Sequence, residues 1–128
     1  MYSQTLIDHF RVPRNVGMMR HPDAVGESED GSCGDLARFY LRVEAGKVTE
    51  ARFQTYGCGP SIAASSLVTE LVRDRTVDEL DGLTPDAVED ALGGLPPDRR
   101  HAATLAVAAI RAATAHYRRR QAEEVSRV

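Results

Sequence analysis

The chain has two cysteines, and both stand against glycine: Cys33 in Ser32-Cys33-Gly34-Asp35, and Cys58 in Tyr56-Gly57-Cys58-Gly59-Pro60. Glycine lets backbone bend sharply and come close to a bound group, so both sulfurs read as ligands rather than as small buried hydrophobes. Asp35, two residues after Cys33, adds a hard oxygen donor, and His101 adds an imidazole. Soft sulfur, imidazole and carboxylate together suit zinc or iron, whereas magnesium and calcium rarely recruit thiolates. The candidate metal and cofactor-binding residues are therefore Cys33, Asp35, Cys58 and His101. A hydrolase using Cys58 as nucleophile and His101 as base would need a third residue to orient the base. No such residue is recognisable, so that reading is the weaker one and no catalytic residue is assigned.

Those residues must be brought together by elements that the pattern suggests. Ser3 to Phe10 has helical spacing, with Leu6, Ile7 and Phe10 on one side and Ser3 as cap. Val12 to Gly31 is dense in proline and glycine, which permits loop and at most a short strand near Ala24 to Glu27. Leu36 to Val43 alternates, with Ala37, Phe39, Leu41 and Val43 opposed to Arg38, Tyr40 and Arg42. Glu44-Ala45-Gly46-Lys47 supplies a turn. Val48 to Tyr56 alternates again, with Thr49, Ala51, Phe53 and Thr55 on one face, so the two runs form a hairpin.

Pro60 suits the first position of a helix whose spacing continues through Ile62 to Val72. Cys58 thus falls between a strand and a helix N-terminus, where unpaired N–H groups favour negative charge on its sulfur. Val77 to Leu80 adds a helical turn, and Thr84-Pro85 starts a short helix ending near Leu92, stopped by Gly93-Gly94. After the extended Leu95-Pro96-Pro97, Asp98 to about Ala122 forms the longest helix. Its apolar line of Leu105, Ala108, Ala109, Ala112 and Ala113 places His101 one turn before Leu105 on the same face. Arg118, Arg119 and Arg120 complement its C-terminal dipole, and Glu123 to Val128 fray. His9, His21 and His116 have no comparable context and read as surface or structural residues.

A chain of 128 residues fits one domain, here 1–128, with a single core. Its formal charge is -3 with 27% charged residues, so no global bias points to nucleic acid or a membrane surface. Positive charge is almost all arginine, Lys47 being the only lysine. No signal or membrane-spanning pattern is present, and the expected location is cytoplasmic. There thiols stay reduced, which favours ligands over a disulfide.

Longer motifs sharpen the picture. Asp8-His9-Phe10 with Pro13-Arg14-Asn15-Val16-Gly17, then Cys33-Gly34-Asp35, Thr55-Tyr56-Gly57-Cys58-Gly59, Ala64-Ser65-Ser66-Leu67-Val68-Thr69-Glu70, and Leu95-Pro96-Pro97 ahead of His101 closely resemble the IscU and NifU N-terminal-type iron-sulfur cluster scaffolds. The likeness runs over essentially the whole chain, without the insertion that marks the SufU branch. It implies an α+β fold: a small three-stranded antiparallel sheet with helices packed on one face and a metal site at one tip. It also implies a [2Fe-2S] cluster or iron at Cys33, Asp35, Cys58 and His101, with zinc as alternative occupant. The partners it implies are a cysteine desulfurase and recipient iron-sulfur apoproteins. The chain departs from the family pattern in two places. Ala102 stands where the family has a third cysteine, which in relatives receives persulfide sulfur, and Asp98 stands where the chaperone-recognised motif is apolar. Three outcomes stay open: a centre held by one protomer, a cluster bridging a homodimer, or a degenerate site on a zinc-bound or metal-free protein that modulates a desulfurase.

Overall fold

The computed structural model describes residues 2–31 and 34–126. Three strands, β1 (Ala24–Asp30), β2 (Asp35–Glu44) and β3 (Lys47–Tyr56), form an antiparallel sheet in the order β1-β2-β3. The hairpin of β2 and β3 follows from their alternation, with Phe39 opposite Phe53 and the two ring centroids 6.3 Å apart. Ala37, Phe39, Leu41, Ala51 and Phe53 are buried, while Arg38, Arg42, Arg52 and Gln54 remain partly exposed.

Three features of the sheet differ from the sequence expectation. A register shift between Arg42 and Val43 changes the parity at the start of β3, so Val48 enters the core and Thr49 does not. One extra residue in a bulge has this effect because side chains alternate with period two. Tyr40, expected on the polar face, is buried, and its hydroxyl donates to Gln54 Oε1 at 2.6 Å. Strand β1 also runs to Asp30 rather than ending near Glu27. Its second half, Glu27-Ser28-Glu29-Asp30, is polar and is held by backbone pairing with Leu36, Ala37 and Arg38 and with Asp35 rather than by a buried face.

Among the described residues five α-helices accompany the sheet: α1 (Gln4–Arg11), α2 (Gly59–Val72), α3 (Val77–Leu80), α4 (Pro85–Leu92) and α5 (His101–Ser126). The starts of α1 and α4 are capped as the sequence suggests, and that of α3 is capped as well. Ser3 accepts from the Leu6 N–H and Thr84 from the Ala87 N–H, and Thr76 with Glu79 makes a reciprocal capping box. Gly93 ends α4 in the left-handed conformation at φ 84°. Helix α2 begins at Gly59, one residue before the proline.

Helix α5 packs against β1 and β2, α2 against β3, and α1 against α2. Because α2 is built from Ser61, Ala63, Ala64, Ser65 and Ser66, it is buried on nearly every side. Its hydroxyls find partners there: Ser65 bonds Thr55 at 2.7 Å, and Ser66 bonds the His9 ring at 2.8 Å and the Arg14 N–H at 2.9 Å. His9 is thus a buried structural residue.

Helix α5 starts later and ends later than expected. Pro97–Arg99 forms a tight 3-10 turn, closed by the Arg99 N–H on the Pro96 carbonyl, and regular helix begins at His101. Arg100 anchors this start to α4 through Glu89 at 3.0 Å and Asp86 at 3.6 Å. At the far end the helix continues to Ser126 instead of fraying from Glu123. Arg118 and Arg120 consequently serve as lateral ties rather than as terminal charges: Arg118 reaches Asp78 and Asp81, and Arg120 donates to the carbonyls of Pro22 and Asp23.

Candidate metal centre

Three element ends meet at one tip of the sheet. Asp35 is the first residue of β2, Cys58 is the N-cap of α2 just beyond β3, and His101 is the first residue of α5. Asp35 Oδ2 lies 3.2 Å from His101 Nε2 and 3.6 Å from Cys58 Sγ. One donor atom from each of the three residues falls within 4.8 Å of the others. A tetrahedral ion with bonds of about 2.0–2.3 Å to N, O and S separates its ligands by about 3.5 Å. The carboxylate–imidazole and carboxylate–sulfur separations bracket that value, so Asp35 paired with either neighbour has the spacing of two ligands on one metal ion. Cys33 lies outside the described residues.

Glycine makes the approach possible. A Cβ on Gly57 would stand 2.5 Å from Asp35 Cγ and 2.7 and 2.9 Å from its two oxygens. Only a residue without a side chain lets the carboxyl group lie flat against this loop. The side chain of Asp35 is 7% exposed. Burial alone would push its carboxyl group up, but hydrogen bonds from Ser61, His101 and Cys58 outweigh it and hold the group below its ordinary range. Asp35 is therefore an ionised acceptor, ready to receive a cation.

A cavity of about 320 Å³ opens beside the three residues and is lined by Asp35, Cys58, Arg99 and His101. A cavity of about 450 Å³ along Leu71, Arg75, Glu79 and Leu83 offers neither sulfur nor imidazole. Two participants escaped the sequence reading. Arg99 brings a guanidinium to the cavity wall, tied back to Asp98 at 3.2 Å. Ser61 lies beneath the centre, its hydroxyl donating to Asp35 Oδ2 at 2.8 Å and touching Cys58 Sγ at 3.2 Å. Its position three residues after Cys58, on the same side of a helix, was the available signal. Ala102 follows His101 and is 1% exposed. Among the described residues, no helix is long and apolar enough to cross a membrane.

Residues 1–124 match the profile of the NifU-like N terminal domain. The chain is 42% identical over 120 residues to the iron-sulfur cluster assembly scaffold protein IscU 1 of Archaeoglobus fulgidus, covering 94% of this chain and 78% of that protein. It is also 42% identical over 121 residues to the iron-sulfur cluster assembly scaffold protein IscU of Escherichia coli K12, covering 91% and 94% respectively. Among solved structures, FiSufU of the thermophile Fervidobacterium islandicum superimposes with a TM-score of 0.71 at 20% identity, covering 88% of this chain and 96% of that one. The N-terminal NifU-like protein of Brucella abortus gives 0.59 at 25% identity, covering 90% and 83%. The three-stranded sheet with helices packed on it is thus the fold these proteins share.

Proposed function

The chain belongs to the NifU-like N-terminal domain family, and from that premise we propose that it is a scaffold or carrier on which an iron-sulfur cluster is held and passed to recipient proteins. The observation that carries this reading is the convergence of Asp35, Cys58 and His101 beside an open cavity. With Cys33 they make four donors, the number of terminal ligands a [2Fe-2S] cluster requires. The set mixes two thiolates with an imidazole and a carboxylate, and a carboxylate is a hard ligand for iron that is also bonded to sulfide. A cargo held in part by such a ligand is easier to release than one held by four thiolates. The curated relatives named as iron-sulfur cluster assembly scaffolds support the same role.

Such a carrier needs a sulfur source, and a cysteine desulfurase is the partner that would supply it. Apoproteins that use iron-sulfur clusters are the recipients, and a reducing cytoplasm is the setting that keeps Cys33 and Cys58 as thiols. Anaerobic reconstitution with iron and sulfide tests the proposal directly. The expected result is sulfide-to-iron charge-transfer absorption and acid-labile sulfide in the wild type, lost in Cys58→Ala. A protein that stays colourless while binding one zinc per chain would replace the scaffold reading with a zinc-bound interaction protein.

A further inference from the structure

Of the groups around the centre, Ser61 is the one that the donor set leaves unexplained. It is 1% exposed and does not line the cavity, so neither solvent nor cargo reaches it. Its hydroxyl nevertheless faces two of the three donors, 2.8 Å from Asp35 Oδ2 and 3.2 Å from Cys58 Sγ. A serine hydroxyl carries one proton, and an ionised carboxylate can only accept. The short contact therefore fixes the direction: Ser61 donates to Asp35, and its lone pairs face the sulfur.

Asp35 is clamped as a result. Gly57 lies flat against the carboxyl group, at distances where a Cβ would overlap all three of its atoms. Ser61 holds Oδ2 from α2, and His101 approaches the same oxygen from α5. Once a metal takes the imidazole and the thiol, those two groups no longer donate to Asp35, and among the described residues Ser61 is the side-chain donor left on that oxygen. Partners of this kind set the orientation of a ligand, and removing one costs about 10- to 100-fold in metal affinity.

We infer that Ser61 is a positioning residue for this centre, whose hydroxyl keeps the Asp35 carboxylate turned toward Cys58 and His101 and so governs how long the metal cargo is retained. The inference rests on the reading of Asp35, Cys58 and His101 as ligands. It concerns retention and geometry, and Ser61 itself does not touch the metal.

Cobalt(II) is a suitable probe, because its visible absorption reports the geometry of its ligands, and release to a chelator gives a rate. Wild type, Ser61→Ala and Ser61→Thr are loaded anaerobically and compared. Ser61→Ala is expected to lose cobalt about 10-fold faster or more, with shifted visible bands. Ser61→Thr, which keeps the hydroxyl, is expected to return both toward wild type. Release rate and bands of Ser61→Ala equal to wild type would overturn the inference. So would a fall in Tm with unchanged bands, which is the mark of a serine that only packs. Wild-type protein that binds neither cobalt nor zinc would instead remove the metal-centre reading and the inference with it, so the two failures are told apart by the wild-type sample alone.

Discussion

Replacing Gly57 with alanine strikes the centre without removing any donor. The new Cβ would lie 2.5 Å from Asp35 Cγ and 2.7 and 2.9 Å from its oxygens. Comfortable separations between such atoms are about 3.5 Å, so the carboxyl group must retreat by about 1 Å. Aspartate is too short to swing away while keeping its partners, which sit at 2.8 Å (Ser61), 3.2 Å (His101) and 3.6 Å (Cys58). A shift of that size carries the two longer contacts past hydrogen-bond range. Hydrogen bonds to a charged group contribute about 1.5–3 kcal/mol each, and a buried carboxylate left short of them is costly, so a loss of about 3 kcal/mol is expected. In a domain of this size that corresponds to a fall in Tm of about 10 °C. Cobalt or zinc affinity should drop about 100-fold, because one ligand no longer points at the ion. Gly59→Ala is the control: on the other side of Cys58, its Cβ meets only the edge of the exposed Phe10 ring, at 3.1 Å, and that ring can turn. Thermal melts and metal titration of both variants decide the matter. Gly57→Ala with wild-type Tm and wild-type affinity would show that the loop yields more readily than the carboxylate, and the account of how Asp35 is held would be wrong.

Two further outcomes follow from the scaffold around the centre. Gly26→Ala drives a Cβ to 2.1 Å from the Ala113 nitrogen and 2.4 Å from the Ala109 carbonyl, backbone atoms that no rotamer change can move. Separating β1 from α5 should cost about 3 kcal/mol or more, measured by urea denaturation, and metal affinity should fall as His101 shifts with its helix; a neutral result would contradict the packing. His9 is buried between α1 and α2, and burial first, then the charge of Arg14, pushes its imidazolium form below the usual histidine range. The unfolded chain therefore binds that proton more readily than the folded one, so the stabilisation is complete above about pH 6.5 and is lost as pH falls through the lower folded value. Denaturation at pH 7.5 and 5.5 should show a smaller acid loss in His9→Gln than in wild type, and equal slopes would refute it.

What was legible depended on where side chains carry the information. Alternation revealed β2 and β3, and Thr84-Pro85 with Gly93 bounded α4, because in each case the residue type itself satisfies a backbone need. The second half of β1 gave no such signal, since Glu27-Ser28-Glu29-Asp30 is held by main-chain pairing that any sequence can make. The bulge at Arg42 and Val43 was equally silent, although it decides that Val48 rather than Thr49 is buried. Asp35, Cys58 and His101 stood out because sulfur, imidazole and carboxylate are rare companions with a shared chemistry. Ser61 did not, because a serine in a thin, buried helix looks like packing until its distance to Asp35 is known.

Ala102 gives these contacts their weight. In the proposed loaded state a third thiolate beside His101 could exchange with the carboxylate, and loss of Asp35 from the metal would then be a step among alternatives. The methyl group of Ala102 offers no donor, so under that reading nothing at this position would replace Asp35, and release would begin at its oxygen. A [2Fe-2S] unit held by two thiolates, one carboxylate and a neutral imidazole carries one negative charge fewer than with four thiolates. Arg99 lines the same cavity, so in that state its guanidinium would attract the cluster while the hard oxygen ligand weakens the hold on it. The groups that orient Asp35, Gly57 on one side and Ser61 on the other, would then bear on release although neither is itself a ligand.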